Sequence, residues 1–382
     1  MRDFLPRDAA IKRNVETVLA ELFAKWGYNE VITPAVEYLD TLAAGSKNNM
    51  EKHMFKFFDK NNRTLALRNE MTTSIARLVS SRMQLDNLPL KLSYICKVYR
   101  YEQAQTGRQC EFYQAGVELM GNSHPSGDAE VIALAIKSML QTGLRKFQVC
   151  IGQVQFINGL MQKWNLTDDE QKNIRIALEK HDLVKLAEIV ETSNLSSTAQ
   201  ENLKQLPLLH GGEEILTKAA AMANNDESIK AINDLRTVYT FLKSYGATDY
   251  VVFDLGVIRD FGYYTGTVFE IYVPGMGSPL CGGGRYDNLL ENFGNHLPAT
   301  GFALGLERLM LALADQGKID NLINSKENYV AYADGHIAEA IEKALWLRAA
   351  GEITELADKA QSFTEAEYYC QTKGYLNLVY LQ

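Results

Sequence analysis

Cysteine is scarce and scattered in this chain. Its five cysteines, Cys96, Cys110, Cys150, Cys281 and Cys370, are odd in number, far apart and never in a C-x-x-C spacing. That argues against a disulfide framework and against a structural zinc site. The six histidines form no H-E-x-x-H or His-x-His cluster, so no metal site is expected. No apolar run reaches the roughly 18 to 20 residues needed to span a bilayer. The opening "MRDFLPRDAA" is charged and carries no apolar leader core. The expectation is a cytoplasmic protein without a membrane partner. Positive charge is also in deficit: 39 Lys and Arg against 47 Asp and Glu leave a formal charge of −8, which weighs against nucleic acid, although a local basic groove can sit on an acidic protein.

What is present can build large cores, since 46% of 382 residues are apolar. Ile11, Val15, Val18, Leu19, Leu22, Phe23 and Trp26 recur at helical spacing and Gly27 follows as a cap, which predicts an amphipathic helix. "NEVITPAVEYLDTL" reads as a strand broken by Pro34. "MFKFFDK" and "TLALRNE" flank the turn-like "NNR" and suggest a hairpin over about residues 54 to 70, with a helix from Thr72. "KLSYICKVYRYE" and "CEFYQAGVELMG" read as two long strands, and "GDAEVIALAIKSMLQTG" as a helix ended by Gly143.

Residues 155–243 are rich in Leu, Ala, Lys, Glu and Asn at helical spacing and read as a helical insertion between two parts of a core, 1–154 and 244–318. A tail over 326–382 has a strand, helix, loop, strand rhythm. Strands cluster in blocks, so the fold class expected is α+β with a mainly antiparallel sheet.

"CGGGRYDNLL", residues 281–290, meets neither the P-loop spacing nor the dinucleotide fingerprint. Glycines in strand-like surroundings mark close approach by backbone or ligand, or a bulge without any ligand. Six charges in strand-like segments, Arg68, Glu70, Arg100, Glu102, Glu118 and Arg259, suggest a polar pocket over a sheet, because buried charges are costly unless paired. Carboxylates such as Glu70 and Glu118 suit an amino group or imidazole. Arg100, Arg108, Arg259 and Arg308 suit a carboxylate or phosphate. A small zwitterion fits that chemistry.

"LRNEMT", "YRYEQAQTGRQCEFYQAGVELMG", "IRDFGYYTGTVFE", "CGGGRYDNL" and "GFALGLERL" resemble successive motifs of histidyl-tRNA synthetase, in order from "MRDFLP" to about residue 315. The resemblance implies the class II aminoacyl-tRNA synthetase fold, with flanking helices and a dimer formed through "VITPAVEYL". It implies that Glu70, Thr72, Gln114 and Glu118 hold an amino acid and that Arg259, Tyr263, Tyr264 and Tyr286 belong to the histidine-specific motifs. Arg100, Arg108 and Arg308 match the arginines that grip ATP phosphates. The glycines would then line a floor beside the bound amino acid, with Tyr286 closing one side.

The sequence departs from that pattern at Asn69, at Gln103-Ala104 and at Gly262, and most of all in its tail. Residues 326–382 look like an anticodon-binding domain cut short, with five Lys and Arg against nine Asp and Glu. Such a chain resembles the regulatory subunits of short-form ATP phosphoribosyltransferase, the first enzyme of histidine biosynthesis. That resemblance implies a chain with no catalytic residues or cofactor of its own and no tRNA partner. It implies a homodimer within a larger hetero-oligomer, a separate catalytic subunit as partner, and histidine as effector, with the arginine site vestigial. The alternative is an active synthetase that forms histidyl-adenylate with help from Arg100, Arg259 and magnesium.

Overall fold

The computed structural model describes residues 3–45, 50–101, 109–164, 166–179, 182–193, 195–223, 225–256, 263–319 and 326–382. The chain divides into two compact units, Met1–Ile319 and Asp320–Gln382. Among the described residues no helix is long and apolar enough to cross a membrane.

The first unit opens with α1 (Pro6–Lys25). Pro6 at its first turn needs no hydrogen-bond partner there, Ile11, Val15, Leu19 and Phe23 bury one face, and Gly27 at φ +83° ends it. The next segment differs from the single broken strand read in the sequence. It forms β1 (Asn29–Glu30), β2 (Val36–Tyr38) and α2 (Leu39–Ala44), and the two strand pieces join different sheets. Arg68 fills the break. Its guanidinium donates to the carbonyls of Thr33 (2.7 Å), Pro34 (3.3 Å) and Lys97 (2.8 Å), backbone groups that the interrupted strand leaves without a ladder partner.

The hairpin β3 (Lys56–Phe58) and β4 (Thr64–Leu67) pairs with β2 in a small sheet. Its turn is set by Asp59, which accepts from the backbone of Asn61 and Arg63 while Asn62 takes φ +59°. Then follow α3 (Thr72–Arg82), β5 (Leu90–Tyr99), β6 (Glu111–Met120), α4 (Pro125–Gln141) and β7 (Gln148–Gln153). The next stretch is α5 (Val154–Lys163), α6 (Asp168–Glu179), α7 (Leu183–Thr192), α8 (Ser197–Gln205), the two-residue β8 (His210–Gly211), α9 (Glu214–Met222) and α10 (Asp226–Ser244). The unit closes with β9 (Val251–Asp254), β10 (Thr267–Tyr272), β11 (Cys281–Arg285), β12 (Ala299–Gly305) and α11 (Leu306–Asp315).

Among the described residues nine strands form the main sheet in the order β1-β5-β6-β12-β11-β10-β7-β9-β8. All neighbours are antiparallel except β1 with β5 and β7 with β9. α1 reaches the sheet through Phe23, edge-on to Phe302 of β12 at 6.0 Å. α4 is buried nearly all round, through Val131, Ile132, Leu134, Ala135 and Ile136, because it packs against β6, β11 and β12 and also meets α1 and α10. The Val, Ile and Leu side chains among these each contribute about 1.5–3 kcal/mol of burial. Across the sheet lies a second core in which Met71, just before α3, and Ile75 and Val79 of α3 pack against Leu92, Tyr94, Tyr286 and Leu290.

The second unit holds β13 (Lys326–Tyr332), α12 (Ile337–Ala349), β14 (Thr354–Leu356), α13 (Phe363–Lys373) and β15 (Tyr375–Leu381) in a parallel sheet ordered β14-β13-β15. The sequence shows only a loop where β14 and α13 stand. α13 buries just Ala366 and Cys370, so it carries little apolar periodicity. It is delimited instead by a Ser362–Glu365 capping box and by Gly374 at φ +74°.

Candidate functional site

The site begins where β4 hands over to α3. Glu70 turns its carboxylate onto the first free amides of the helix, accepting from the N–H of Thr72 (2.6 Å) and Thr73 (2.9 Å). Thr72 is thereby fixed, and its hydroxyl donates to Glu118 Oε1 at 2.8 Å. The Tyr286 hydroxyl donates to Glu118 Oε2. Glu118 is 1% exposed, and burial pushes its carboxyl up to about 8; the two hydroxyl donors oppose that rise and the charge of Glu70 adds to it.

The floor is built by register. Gln114, Gly116 and Glu118 of β6 lie opposite Gly305, Ala303 and Gly301 of β12, and Gly282 and Gly284 of β11 lie opposite Ala303 and Gly301. Residues two apart on a strand share a face, so three adjacent strands present glycine or alanine at almost every floor position. A cavity of about 200 Å³ stands over this surface. The glycine run is thus split between two faces: Gly282 lines the cavity, whereas a Cβ on Gly283 would press into the Phe269 ring at 2.7 Å. Gly284, at φ +157°, lies against the Tyr264 ring.

Glu70, Thr72, Gln114, Glu118, Tyr263, Tyr264, Tyr286, Arg100 and Arg308, all singled out in the sequence, line this one cavity. Arg108 and Arg259 lie outside the described residues, as do Glu102, Gln103-Ala104 and Gly262. Tyr263 stands edge-on to Tyr286 at 5.8 Å and beside Tyr264 at 4.9 Å, forming an aromatic wall. Arg100 lies over the Phe112 ring at 5.3 Å and donates through Nε to the Asn69 carbonyl at 2.9 Å. Arg308 donates to the Pro279 carbonyl at 2.6 Å. The cavity therefore has a carboxylate-and-phenol end and an arginine end, a polarity suited to a zwitterion carrying a polar ring.

Sequence reasoning missed Tyr94, Met71, Phe112 and Cys281, which also line the cavity. Gly116, inside the strand-like "EFYQAGVELM", was the available signal: a glycine mid-strand often marks another group crossing the backbone. Among the described residues no group of three or more His, Cys, Asp or Glu could hold a metal.

The raised Glu118 carboxyl has a definite sign in stability. Between its ordinary value of 4.5 and about 8 the folded protein holds a proton that the unfolded chain has released. The contribution of Glu118 to stability without ligand is therefore fully present below that window and is lost as pH rises through it, by up to about 1.4 kcal/mol per pH unit. Glu118→Gln is expected to flatten the decline in urea-unfolding free energy between pH 6 and 8. An unchanged slope would assign the proton to another group.

A family model described as histidyl-tRNA synthetase matches residues 1–309. An ATP phosphoribosyltransferase regulatory subunit of Moorella thermoacetica is 42% identical over 379 residues, 99% of this chain and 96% of the relative. One from Thermoanaerobacter pseudethanolicus is 39% identical over 356 residues, 93% of this chain and 92% of the relative. The chain belongs to the family of ATP phosphoribosyltransferase regulatory subunits. A solved structure from Bacillus halodurans, described as an ATP phosphoribosyltransferase regulatory subunit/histidyl-tRNA synthetase, superposes with a TM-score of 0.88 at 35% identity, covering 100% of this chain and 97% of that one. Apo histidyl-tRNA synthetase of S. aureus gives 0.72 at 26%, covering 100% and 89%. The regulatory-subunit family thus shares the class II synthetase fold, with its large, mainly antiparallel sheet and flanking helices.

Proposed function

We propose that this chain is the non-catalytic regulatory subunit of a short-form ATP phosphoribosyltransferase, the first step of histidine biosynthesis. Catalysis resides on a separate subunit, and the cavity over β6, β11 and β12 is the histidine sensor. The observation that carries this reading is full-length similarity to regulatory subunits, at 42% identity, in a chain that keeps the Glu70, Thr72, Gln114, Glu118 and Tyr286 constellation. The second unit supports the absence of a tRNA partner: its net charge over residues 326–382 is −4, and single-stranded nucleic acid requires a cationic track. The chain works in the cytoplasm as a homodimer inside a hetero-oligomer.

Histidine regulates by binding one state of that assembly more tightly than another, so the sensor is coupled to a two-state interface. Such coupling typically amounts to about 1–3 kcal/mol, a roughly 5- to 150-fold change in affinity. The test is phosphoribosyltransferase activity of the short-form catalytic subunit from the same organism, with and without this chain and then with histidine. Activation by the chain followed by inhibition by histidine is the expected result. If the chain leaves the activity unchanged but alone exchanges pyrophosphate with ATP in the presence of histidine, it is a synthetase and the reading fails.

A further inference from the structure

The inner end of the cavity holds a hydroxyl that the described residues leave unsatisfied. Tyr94 projects from β5 across β6 and is 1% exposed. Its Oη lies 2.5 Å from the point where a Cβ on Gly116 would stand, so the phenol occupies the space that glycine vacates. Gly116 sits between Gln114 and Glu118 on the cavity face, and Tyr94 lines the cavity with them. Among the described residues the hydroxyl has no hydrogen-bond partner, and neither has Gln114 Oε1.

An unpaired buried hydroxyl is unfavourable, and one enclosed in the wall of a cavity acquires a partner when a ligand packs against that wall. Burial also drives the Tyr94 phenol well above its ordinary value, so it remains an O–H donor at neutral pH. A neutral imidazole has one N–H donor and one bare nitrogen acceptor. The Glu118 carboxyl, already held by Thr72 and Tyr286, accepts the N–H through the oxygen that carries no proton. What the ring's second nitrogen needs is a donor at the same end of the cavity.

We propose that Tyr94 is a specificity-determining residue of the sensor, donating its hydroxyl hydrogen to the bare ring nitrogen of bound histidine. This rests on the cavity being the histidine site. With Glu118 taking the N–H and Tyr94 supplying the opposing donor, the two side chains read the imidazole as a ring with one donor and one acceptor. Shape alone would not separate that ring from a five-membered isostere with a single nitrogen; a site hydrogen-bonding both nitrogens rejects it, because the isostere leaves Tyr94 unpaired.

The test uses the full chain, calorimetry with histidine, and pyrrolylalanine in both ring isomers, each of which keeps the ring N–H and replaces the other nitrogen with C–H. Wild type is expected to prefer histidine over the better isomer by at least about tenfold. Tyr94→Phe is expected to weaken histidine by a similar factor and leave the isomer almost unchanged, so that the preference collapses. Its thermal midpoint without ligand is expected to stay level or rise, since the variant removes an unpaired polar atom.

Equal weakening of both ligands, or none of either, would overturn the proposal while leaving the cavity as the histidine site. A lower midpoint with discrimination intact would assign the hydroxyl a structural role and likewise overturn it. No histidine binding by wild type would remove the sensor reading itself, an outcome separable from the others because it precedes any variant.

Discussion

Arg285→Met is expected to destabilise the ligand-free protein by about 3–5 kcal/mol, the usual consequence of removing one member of a buried ion pair. Arg285 ends the glycine strand at 7% exposure, with Nε donating to Asp128 Oδ2 at 3.0 Å. Its Nη1 donates to the Asn122 carbonyl (2.9 Å) and to Asp287 (3.1 Å). Through these bonds it ties the strand that leads into Tyr286 to the start of α4. Burial already raises Asp128 to about 6, even with the arginine charge opposing the rise.

Without the guanidinium that carboxyl is left in the core with no cation in contact, and its affinity for a proton increases further. The deficit is therefore expected to be larger at pH 8, where keeping the carboxyl charged or protonating it is unfavourable, than at pH 5, where it takes up a proton readily. Urea unfolding of wild type and variant at both pH values reads this directly. Adding Asp128→Asn should recover part of the loss. Equal deficits at the two pH values would show that Asp128 is not the charge Arg285 balances.

The second large effect is expected from one methyl group. A Cβ on Gly301 would stand 2.5 Å from the Val117 carbonyl and collide with Glu118 Oε2. The carbonyl belongs to a ladder strand and cannot move aside, so the Glu118 carboxylate must leave the position where Thr72 and Tyr286 hold it. Gly301→Ala is expected to destabilise by about 1–3 kcal/mol, as overpacking does. If the cavity is the proposed histidine site, it should also weaken histidine binding at least about a hundredfold, because a displaced Glu118 carboxyl no longer receives the ligand. Calorimetry and thermal unfolding of the same sample separate the two losses. Unchanged affinity in a folded variant would take Glu118 out of the binding site.

The local architecture was readable where a period was strong. α1 declared itself through Ile11, Val15, Leu19 and Phe23, and β5 and β6 through branched and aromatic residues on either side of a polar connection. Pro34 announced an interruption, but not that its two sides enter different sheets, since nothing local encodes which distant strand Val36–Tyr38 will meet. α13 stayed hidden for want of an apolar stripe.

The candidate site was legible to the extent that its polar residues follow a familiar order of motifs. The physical pattern alone also placed Arg68 in the pocket, and the structure puts it instead beneath the strand break as a carbonyl clamp. Tyr94 was passed over because its part depends on Gly116, a residue on the next strand, and such pairing is invisible to any reading along the chain. The opposite faces of Gly282 and Gly283 follow from strand alternation once the strand is known.

The floor strands β6 and β12 carry a consequence for the order of events during synthesis. Glu118 and Gly301 face each other across one ladder, yet the second is translated long after the first. At about 5–20 residues per second the ribosome needs roughly 10–40 s to bridge that gap. Until then β6 has a free margin toward the centre of the future sheet, and the proposed histidine site does not exist. A nascent chain stalled before residue 300 could hold α1, β5 and α4, and still be blind to the amino acid whose synthesis it is proposed to govern.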